Sequence, residues 1–426
     1  MNMSVLERCR AFEASGMRSP LNPIVLERAQ GAYLFDNEGR RYLDLSGLFA
    51  VASVGHNHPA VVDAVIQQAR DLMHCPSANP SRVRAEFYEA VASIAPKELN
   101  RILPAITGAM ANETAIRIAK TRRPQGEVIT FSGSYFGRSP GIVGLAGKAN
   151  YRESLGIQAA GQFLPYPATG ETGFRSSNNV IETLNSLAGP AGGIGEIAAV
   201  IVEPVQGNGG VVIPPSDFLP RLRAFCDQTG ALLIIDEIQS GCGRSGKMWA
   251  SQHFNVVPDL MTIGKGIGGG MAVAAIVGKS EYMTSWRPDS YSSTFLTNNV
   301  NLAAAVAAIR VMQNEDLAAR SERLGAKALK KLQQHLQNLP SVEEVRGIGL
   351  WVAIDFGLSS EGARIASLVL QGLQQKGIIA GGGGYAGQVV KIAPPLTIEE
   401  ADLEEGLDTM ISVVRDIICA PQQEYA

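Results

Sequence analysis

Two charged residues of this 426-residue chain stand where apolar runs end, and their types suit one particular chemistry. Asp236 closes the run LLIID, and Lys265 follows the next run, DLMTI, inside a glycine-rich loop, GKGIGGG. If both runs are strands of a parallel sheet, the two side chains lie at its carboxyl edge, where open α/β sheets bind ligands. Each residue alone fits a turn carboxylate or a solvated lysine, but together they offer an amine nucleophile and an acidic partner.

That pair matches the needs of pyridoxal 5′-phosphate (PLP). A lysine amine can form a Schiff base with PLP, and a carboxylate on the pyridine nitrogen lets the ring act as an electron sink. The phosphate needs a further site, and Gly108 opens the helical segment in TGAMANETAIRIAK, whose first N–H groups and dipole favour an anion. Tyr135, after the run EVITF, can stack on the cofactor or, alternatively, pack in the core.

The elements that position these residues predict an α/β fold, with helices on both faces of a mainly parallel sheet. The amphipathic segments Ala60–Met73 and Pro220–Thr229 predict two of the helices. The expected strands of the sheet are Glu127–Phe131, Ala198–Glu203, Leu232–Asp236, Asp259–Ile263 and Ala272–Val277.

The pattern changes after about residue 300, where a long helical stretch precedes two strand-like pieces, Leu350–Phe356 and Val389–Ala393. We therefore expect a large PLP-binding domain over residues 51–300 and a smaller α/β domain over residues 301–426. The segment 1–50, with the strand-like pieces AYLFD and RYLDL, is expected to pack with the small domain.

Composition excludes several other classes. With 46% hydrophobic and 18% charged residues, a net charge of −3 and no basic block, the chain suits a compact protein without a nucleic-acid or membrane partner. Its five scattered cysteines predict neither a zinc site nor a disulfide framework. Because no signal-peptide core and no apolar run of about 18 residues is present, we expect a soluble cytoplasmic protein without a metal.

Three short motifs suggest other functions but fail on context. Gly241–Lys247 (GCGRSGK) approximates the phosphate loop of nucleotide hydrolases, but Met248 follows it where a magnesium-binding Ser or Thr is required. GxGxxG, the fingerprint of dinucleotide binding, occurs twice. The first match lies some residues past the end of its strand, and the second has Lys265 at the position where the pyrophosphate would approach the backbone. Asn112–Thr114 matches a glycosylation acceptor, which has meaning only in a secreted protein.

Nine motifs follow one another in an order that is highly specific in combination: GAYLFDNEGRRYLDL, GHNHP, TGAMANE, FSGSYFGR, EPVQGNGG, LLIIDEIQSGCGRSG, IGKGIGGG, SSTF and KIAPPLTIEEAD. In these motifs the sequence from about residue 22 to 415 resembles the class III (ω-type) PLP-dependent aminotransferases of fold type I. The resemblance implies a mainly parallel seven-stranded sheet in the large domain. It also implies transfer of an amino group from an amine or amino acid to an oxo acid or aldehyde, through PLP and pyridoxamine phosphate.

The resemblance assigns roles to individual residues. Lys265 matches the Schiff-base lysine that also moves the proton, and Asp236 matches the partner of the pyridine nitrogen. Arg138 matches an arginine that holds a substrate carboxylate in 4-aminobutyrate and ornithine enzymes. The other cofactor residues it implies are Gly108 and Ala109 at the phosphate, Tyr135 and Ile238 on the two ring faces, Phe136 in place of the family's usual histidine, Gln239 at the phenolic oxygen, and Thr294 at the phosphate, contributed by the neighbouring subunit of a homodimer.

The chain departs from the family at the substrate side. The family's QGEGG loop carries a glutamate that pairs with an arginine near the C-terminus, and this arginine binds the α-carboxylate of glutamate or is masked. Asn208 and Lys391 stand at these positions. The negative charge of the glutamate is therefore lost, and the compact ammonium group of a lysine replaces the planar guanidinium that can bind a carboxylate through two hydrogen bonds. Both residues are expected to border the substrate, but the arginine with which the family binds the α-carboxylate of glutamate is absent.

Two other functions stay open. Amino-acid racemases and epimerases of the same superfamily need a second acid or base on the opposite face of the cofactor. The relatives in question place an aspartate at the position of Asn208, and an asparagine cannot transfer a proton. A protein of this fold that binds a ligand without turnover is favoured only by loss of Lys265 or Asp236, and both are present.

Overall fold

A computed structural model describes residues 4–14, 23–168, 176–189, 192–287 and 290–419. Its strands are β1 (Leu26–Gln30), β2 (Tyr33–Asp36), β3 (Arg41–Asp44), β4 (Arg101–Ala105), β5 (Glu127–Phe131), β6 (Gln162–Leu164), β7 (Ile197–Val202), β8 (Leu232–Asp236), β9 (Leu260–Ile263), β10 (Ala274–Gly278), β11 (Glu344–Gly347), β12 (Val352–Asp355), β13 (Ile378–Ile379), β14 (Gly381–Gly383) and β15 (Val389–Ile392). Its α-helices are α1 (Val5–Phe12), α2 (Gly47–Ala50), α3 (Pro59–Asp71), α4 (Arg82–Ile94), α5 (Gly108–Arg122), α6 (Pro140–Val143), α7 (Ala149–Glu153), α8 (Ser177–Ala188), α9 (Phe218–Thr229), α10 (Ser280–Met283), α11 (Asn299–Asn314), α12 (Leu317–Leu336), α13 (Ser360–Gln375) and α14 (Glu400–Cys419).

The largest sheet has seven strands in the order β4-β10-β9-β8-β7-β5-β6. All adjacent pairs are parallel except those of β10, which is antiparallel to both β9 and β4. The expectation that Ala272–Val277 joins the parallel strands was therefore wrong in direction. Only residues 264–273 separate β9 from β10, and a parallel crossover needs a dozen or more residues. The mainly parallel seven-stranded sheet itself is confirmed.

Helices cover both faces of this sheet, as predicted. Along β8, Leu233 and Ile235 belong to one buried cluster with helix α9, whereas Leu232 and Ile234 belong to another with helix α5. Successive side chains of a strand point to opposite faces, so a strand with two buried faces reads as one continuous apolar run. Each such Leu or Ile contributes about 1.5–3 kcal/mol when fully buried.

Two smaller sheets of four strands each have the orders β1-β2-β3-β13 and β11-β12-β15-β14. In the first, Ile378 of β13 pairs with Leu43 of β3 in parallel, so an N-terminal strand and a C-terminal strand share a sheet. Helix α11, after residue 298, packs against α3 and α4. The boundaries at residues 50 and 300 stay a proposal. Among the described residues, no helix has both the length and the apolar character needed to cross a bilayer.

Candidate active site

Five strand ends of the large sheet converge on one cavity. Since β10 alone is reversed, β4, β5, β7, β8 and β9 all direct their carboxyl ends to the same edge. A cavity of about 250 Å³ lies at this edge. Its walls are formed by Gly108, Ala109, Asn112, Tyr135, Phe136, Gly137, Arg138, Glu203, Asp236, Ile238, Gln239 and Lys265. Nine of these were singled out from the sequence, so their expected convergence agrees with the fold.

Asp236 ends β8 and is 4% exposed. Its Oδ1 accepts a hydrogen bond from the Ile238 backbone N–H at 2.8 Å, and its Oδ2 accepts one from Asn112 Nδ2 at 2.7 Å. Burial raises the pKa of the Asp236 carboxyl to about 6, although both hydrogen bonds act to lower it. A carboxylate has about four acceptor sites, so Asp236 can still accept an N–H from a cationic group in the cavity.

Asn112, on helix α5, orients that carboxylate and is itself fully buried. Its Nδ2 also donates to the Phe136 carbonyl at 3.1 Å, and its Oδ1 accepts a hydrogen bond from Thr262 Oγ1 at 2.7 Å. The side chain therefore links helix α5, strand β9 and the loop after β5 to Asp236.

Lys265 follows β9 and begins a short 3₁₀ helix, Lys265–Gly268. Its φ of 47° lies in the left-handed region, which is unfavourable for a residue with a side chain and is often found at functional sites. Burial lowers the pKa of the Lys265 amine, whereas the charges of Asp236 and Glu203 act in the opposite direction. A lysine with a lowered pKa supplies more of the neutral amine, which is the nucleophilic form.

The start of helix α5, where the sequence predicts an anion site, lies at the cavity wall. Thr107 caps the helix, and its Oγ1 accepts a hydrogen bond from the Met110 backbone N–H at 3.1 Å. The N–H groups of Gly108 and Ala109 belong to the first turn and have no acceptor within the helix. A Cβ at Gly108 would lie 2.7 Å from Ile238 Cδ1, so glycine is what lets Ile238 approach this helix start.

Residues expected around the cofactor ring lie at the cavity wall. Tyr135, Ile238 and Gln239 are partly buried. Phe136 is 2% exposed and packs in the apolar cluster of helix α5, so most of its surface belongs to the core. A Cβ at Gly207 would lie 2.1 Å from Gln239 Oε1, which shows how closely the loop after β7 approaches Gln239.

Glu203 lies at the cavity wall, although the sequence pattern indicates only the end of a strand there. It follows β7 and is 5% exposed. Its Oε1 accepts a hydrogen bond from the Tyr135 backbone N–H at 2.9 Å, and its Oε2 accepts one from the Gly207 N–H at 3.0 Å. Burial raises the pKa of the Glu203 carboxyl to about 7, and the charge of Asp236 acts in the same direction. The carboxyl therefore joins the loops after β5 and β7.

The residues expected at the substrate side occupy different positions around the cavity. Arg138 lines it, with Cζ 4.4 Å from the ring centre of Tyr151. Asn208 is not among the residues that line the cavity, and its Nδ2 donates to the Tyr151 hydroxyl at 2.8 Å. Lys391 is 9% exposed and donates from Nζ to the Gly207 carbonyl at 3.1 Å. Thr294 is exposed and is not part of this cavity wall.

Comparisons with known proteins define the class of protein. Residues 15–414 match the family model of the class-III aminotransferases. The 5-aminovalerate aminotransferase DavT of Pseudomonas aeruginosa is 34% identical, over 95% of this chain and 96% of its own length. The leucine/methionine racemase of Thermococcus litoralis is 32% identical, over 97% and 95%. The solved structure of the ornithine aminotransferase from Toxoplasma gondii aligns with a TM-score of 0.85 and 27% identity, over 97% of this chain and 94% of that one.

The chain therefore belongs to the class III aminotransferases. It is an enzyme, a PLP-dependent transaminase with the α/β fold of that family. The family and the cofactor inferred from the nine motifs are confirmed.

Proposed function

We propose that this transaminase carries out its chemistry in the cavity at the carboxyl ends of the strands, with Lys265 as the reactive amine. One observation carries the proposal: Asp236, held by Asn112 and the Ile238 N–H, opens into the same cavity as Lys265 and the start of helix α5. These three features offer an acidic group, an amine and an anion site. PLP, with a basic ring nitrogen, an aldehyde and a phosphate, has groups complementary to all three.

The residues present fit that cofactor. Asp236 would hold the ring nitrogen, since a positive charge there favours the ionised form of a carboxyl whose pKa burial has raised to about 6. The N–H groups of Gly108 and Ala109 would bind the phosphate. Tyr135 and Ile238 would enclose the ring, and Gln239 would donate to its phenolic oxygen. When bound, PLP supplies the electron sink that lets an amino group leave one carbon and reach another.

The protein's own contribution is to position groups and to move a proton. Lys265 carries its amine on a flexible stem into a cavity with buried walls, and desolvation keeps a larger share of that amine neutral. A neutral amine can accept a proton at Nζ and return it to a neighbouring carbon. Glu203 holds the Tyr135 backbone against the Gly207 loop, which keeps the wall of the cavity in place.

For the substrate we infer an amino acid or amine as donor and an oxo acid or aldehyde as acceptor. Arg138 at the cavity wall favours a substrate with a carboxylate. The relative named 5-aminovalerate aminotransferase supports an ω-amino acid as one candidate donor. Because Asn208 bonds Tyr151 and Lys391 bonds the Gly207 carbonyl, we expect glutamate to be handled differently from the family's usual clamp.

We also propose a homodimer in the cytoplasm. Thr294 is exposed in the single chain, and the family's arrangement would bring it to the partner's phosphate site. The five cysteines are free thiols, which suits a reducing compartment. The division into residues 1–50, 51–300 and 301–426 belongs to this proposal. Sedimentation equilibrium would test the dimer, with a monomer as the contrary result.

Racemisation is the less favoured function, although a racemase is among the relatives. It needs a second proton carrier opposite Lys265. Asn208 stands where the racemases in question place an aspartate, and its amide has no titratable proton. Incubation of the enzyme with an amino acid in deuterated solvent separates the two functions. We expect a keto product with the pyridoxamine form of the cofactor; exchange at Cα without a keto product would favour racemisation.

The assignment of Lys265 is tested by the variant Lys265→Ala. The native enzyme reconstituted with PLP should be yellow, and an amine donor should bleach it in a single turnover. Lys265→Ala should lose both the native absorbance band and the half-reaction, whereas the matched variant Lys247→Ala, which changes an exposed lysine, should keep both. A colourless native protein, or a fully active Lys265→Ala, would disprove the assignment.

A further inference from the structure

Strand β15 carries one charged side chain, that of Lys391, between the apolar residues Val390 and Ile392. Lys391 is 9% exposed, and it is not among the residues that line the cavity. Its Nζ donates to the Gly207 carbonyl at 3.1 Å, in the loop after β7. This cation therefore binds the backbone of a residue that is itself not part of the cavity wall.

Small residues on both neighbouring strands leave room for the Lys391 side chain. Lys391 pairs with Ala353 of β12 and with Gly381 of β14. A Cβ at Gly383, two residues further along β14, would lie 2.9 Å from Lys391 Cε and 3.1 Å from its Nζ. The glycines of β14 thus let the aliphatic stem of the lysine lie close to the backbone of that strand. The packing of the sheet therefore fixes the course of this side chain.

Gly207 joins Lys391 to two residues of the cavity wall. The Gly207 N–H donates to Glu203 Oε2 at 3.0 Å, so this glycine is held both at its N–H and at its carbonyl. A Cβ at Gly207 would lie 2.1 Å from Gln239 Oε1 and 2.6 Å from Gln239 Cδ. Glu203 and Gln239 both line the cavity. A shift of the Gly207 backbone would therefore change the space that is available to the Gln239 amide.

The loop after β7 has two further bonds to the same four-stranded sheet. The Gly384 N–H, which follows β14, donates to the Asn208 carbonyl at 3.1 Å. Arg346 of β11 donates from Nη2 to the Gly210 carbonyl at 2.7 Å. The course of the loop is therefore held by other donors when Lys391 is replaced, and we expect the effect of a replacement to stay local.

We propose that Lys391 is a positioning residue, which holds Gly207 where Gln239 can donate to the phenolic oxygen of the cofactor, and that it does not bind the substrate carboxylate. The inference rests on the proposed function, because Gln239 has its role there. It reassigns Lys391, which the family resemblance places at the substrate side. A compact ammonium group suits a single backbone carbonyl, whereas the planar fork of an arginine suits a carboxylate.

The test measures the absorbance of the PLP-loaded enzyme without substrate, between about pH 5 and pH 10. A donor to the phenolic oxygen stabilises its negative charge, so it favours the form of the bound cofactor that has lost a proton. Gln239→Ala should therefore move the spectral midpoint to higher pH by about one to two units. Lys391→Met, which has no donor, should move the midpoint in the same direction by at least about 0.5 unit. Lys330→Met, which changes an exposed lysine of α12, should keep the native midpoint.

A double variant shows whether Lys391 acts through Gln239. If it does, Lys391→Met should add less than about 0.2 unit to the shift that Gln239→Ala already causes, because residues in one network are not additive. Full additivity of the two shifts, or a native midpoint in a folded Lys391→Met, would overturn the inference. A native midpoint in Gln239→Ala would overturn it together with the proposed role of Gln239. The absorbance band itself, which Lys265→Ala should lose, reports separately on the reactive amine.

Turnover separates positioning from substrate binding. In Lys391→Met, kcat should fall about three- to tenfold with the best donor among glutamate, alanine and 4-aminobutyrate, whereas KM should change less than about threefold. A tenfold rise in KM with kcat unchanged would make Lys391 a ligand of the substrate carboxylate and would overturn the inference.

Two other variants keep the inference testable even if Lys391→Met does not fold. Lys391→Gln, with a shorter and uncharged side chain, should move the spectral midpoint in the same direction. Gly207→Ala places a Cβ 2.1 Å from Gln239 Oε1 and should also move the midpoint to higher pH. A native midpoint in either folded variant would overturn the inference.

Discussion

Replacement of Asn112 by alanine gives a quantitative test of the proposed site. The bond from Asn112 Nδ2 to Asp236 Oδ2 is 2.7 Å long, and both residues are buried. A hydrogen bond to a charged group contributes about 1.5–3 kcal/mol, which corresponds to about one to two pH units in the pKa of the acceptor. Loss of the bond removes a donor that favours the ionised carboxyl, so Asn112→Ala should raise the pKa of Asp236 by that amount.

The consequence for activity follows from which form of Asp236 is useful. In the proposed site it is the ionised carboxylate that supports the cofactor ring, so the acidic limb of the pH–rate profile should move to higher pH by about one to two units in Asn112→Ala. The single-turnover rate should therefore fall on the acidic side of the profile, and it should recover towards pH 9. Stopped-flow absorbance of the bound cofactor, recorded from pH 5 to 9, measures this shift.

Thr262→Val provides the matched control. It removes the bond from Thr262 Oγ1 to Asn112 Oδ1 but leaves the amide that donates to Asp236. Both variants should lower the free energy of unfolding, by about 1–3 kcal/mol, because each leaves a buried polar group without a partner. Only Asn112→Ala should move the acidic limb appreciably. A folded Asn112→Ala that keeps the native acidic limb, or a Thr262→Val that moves the limb as far, would refute the proposed role of Asn112.

Three further predictions concern the cavity wall. Burial raises the pKa of Glu203 to about 7. In the cofactor-free chain, the stability due to the protonated form of Glu203 is therefore present below about pH 4.5 and is lost as the pH rises to about 7. Glu203→Gln should flatten this fall in the free energy of unfolding, measured with urea, and an unchanged slope would contradict the prediction. Gly108→Ala places a Cβ 2.7 Å from Ile238 Cδ1, so PLP should bind about tenfold more weakly in a spectral titration, and the free energy of unfolding should fall by about 1–3 kcal/mol. Native PLP affinity would argue against the phosphate site. Asn208→Glu adds a carboxylate beside Tyr151, on the loop that Lys391 contacts. The variant should alter donor preference, measured as ratios of kcat/KM across glutamate, alanine and 4-aminobutyrate, far more than it alters PLP affinity. Equal effects on donor preference and on PLP affinity would count against the placement of Asn208 at the substrate side.

The sequence predicted those parts of the site that depend on local pattern. Asp236 and Lys265 each end or follow a continuous apolar run, and such runs become strands buried on both faces. Their convergence followed from the rule that parallel strands bring their carboxyl ends to one edge. The family resemblance then added roles, such as that of Gln239, which no local pattern indicates.

The parts that were missed depend on contacts between distant segments. Asn112 and Asp236 are far apart in the chain, and no periodicity reports a side-chain bond between them. Strand β4, Arg101–Ala105, carries a proline and an exposed arginine, so it has no apolar run to reveal it. The direction of β10 could have been inferred, because the link from β9 is too short for a parallel crossover.

The pairing of β3 with β13 has a consequence for how the chain folds during its synthesis. Leu43 and Ile378 are neighbours in one sheet but lie more than 330 residues apart in the chain. At a synthesis rate of about 5–20 residues per second, strands β1, β2 and β3 wait roughly 20 to 70 s for their partner strand. During that time an edge of β3, with the apolar side chains of Tyr42 and Leu43, stays open to pairing with other chains. Protection of the emerging N-terminal strands by a chaperone should therefore raise the yield of folded enzyme more than protection of the finished chain.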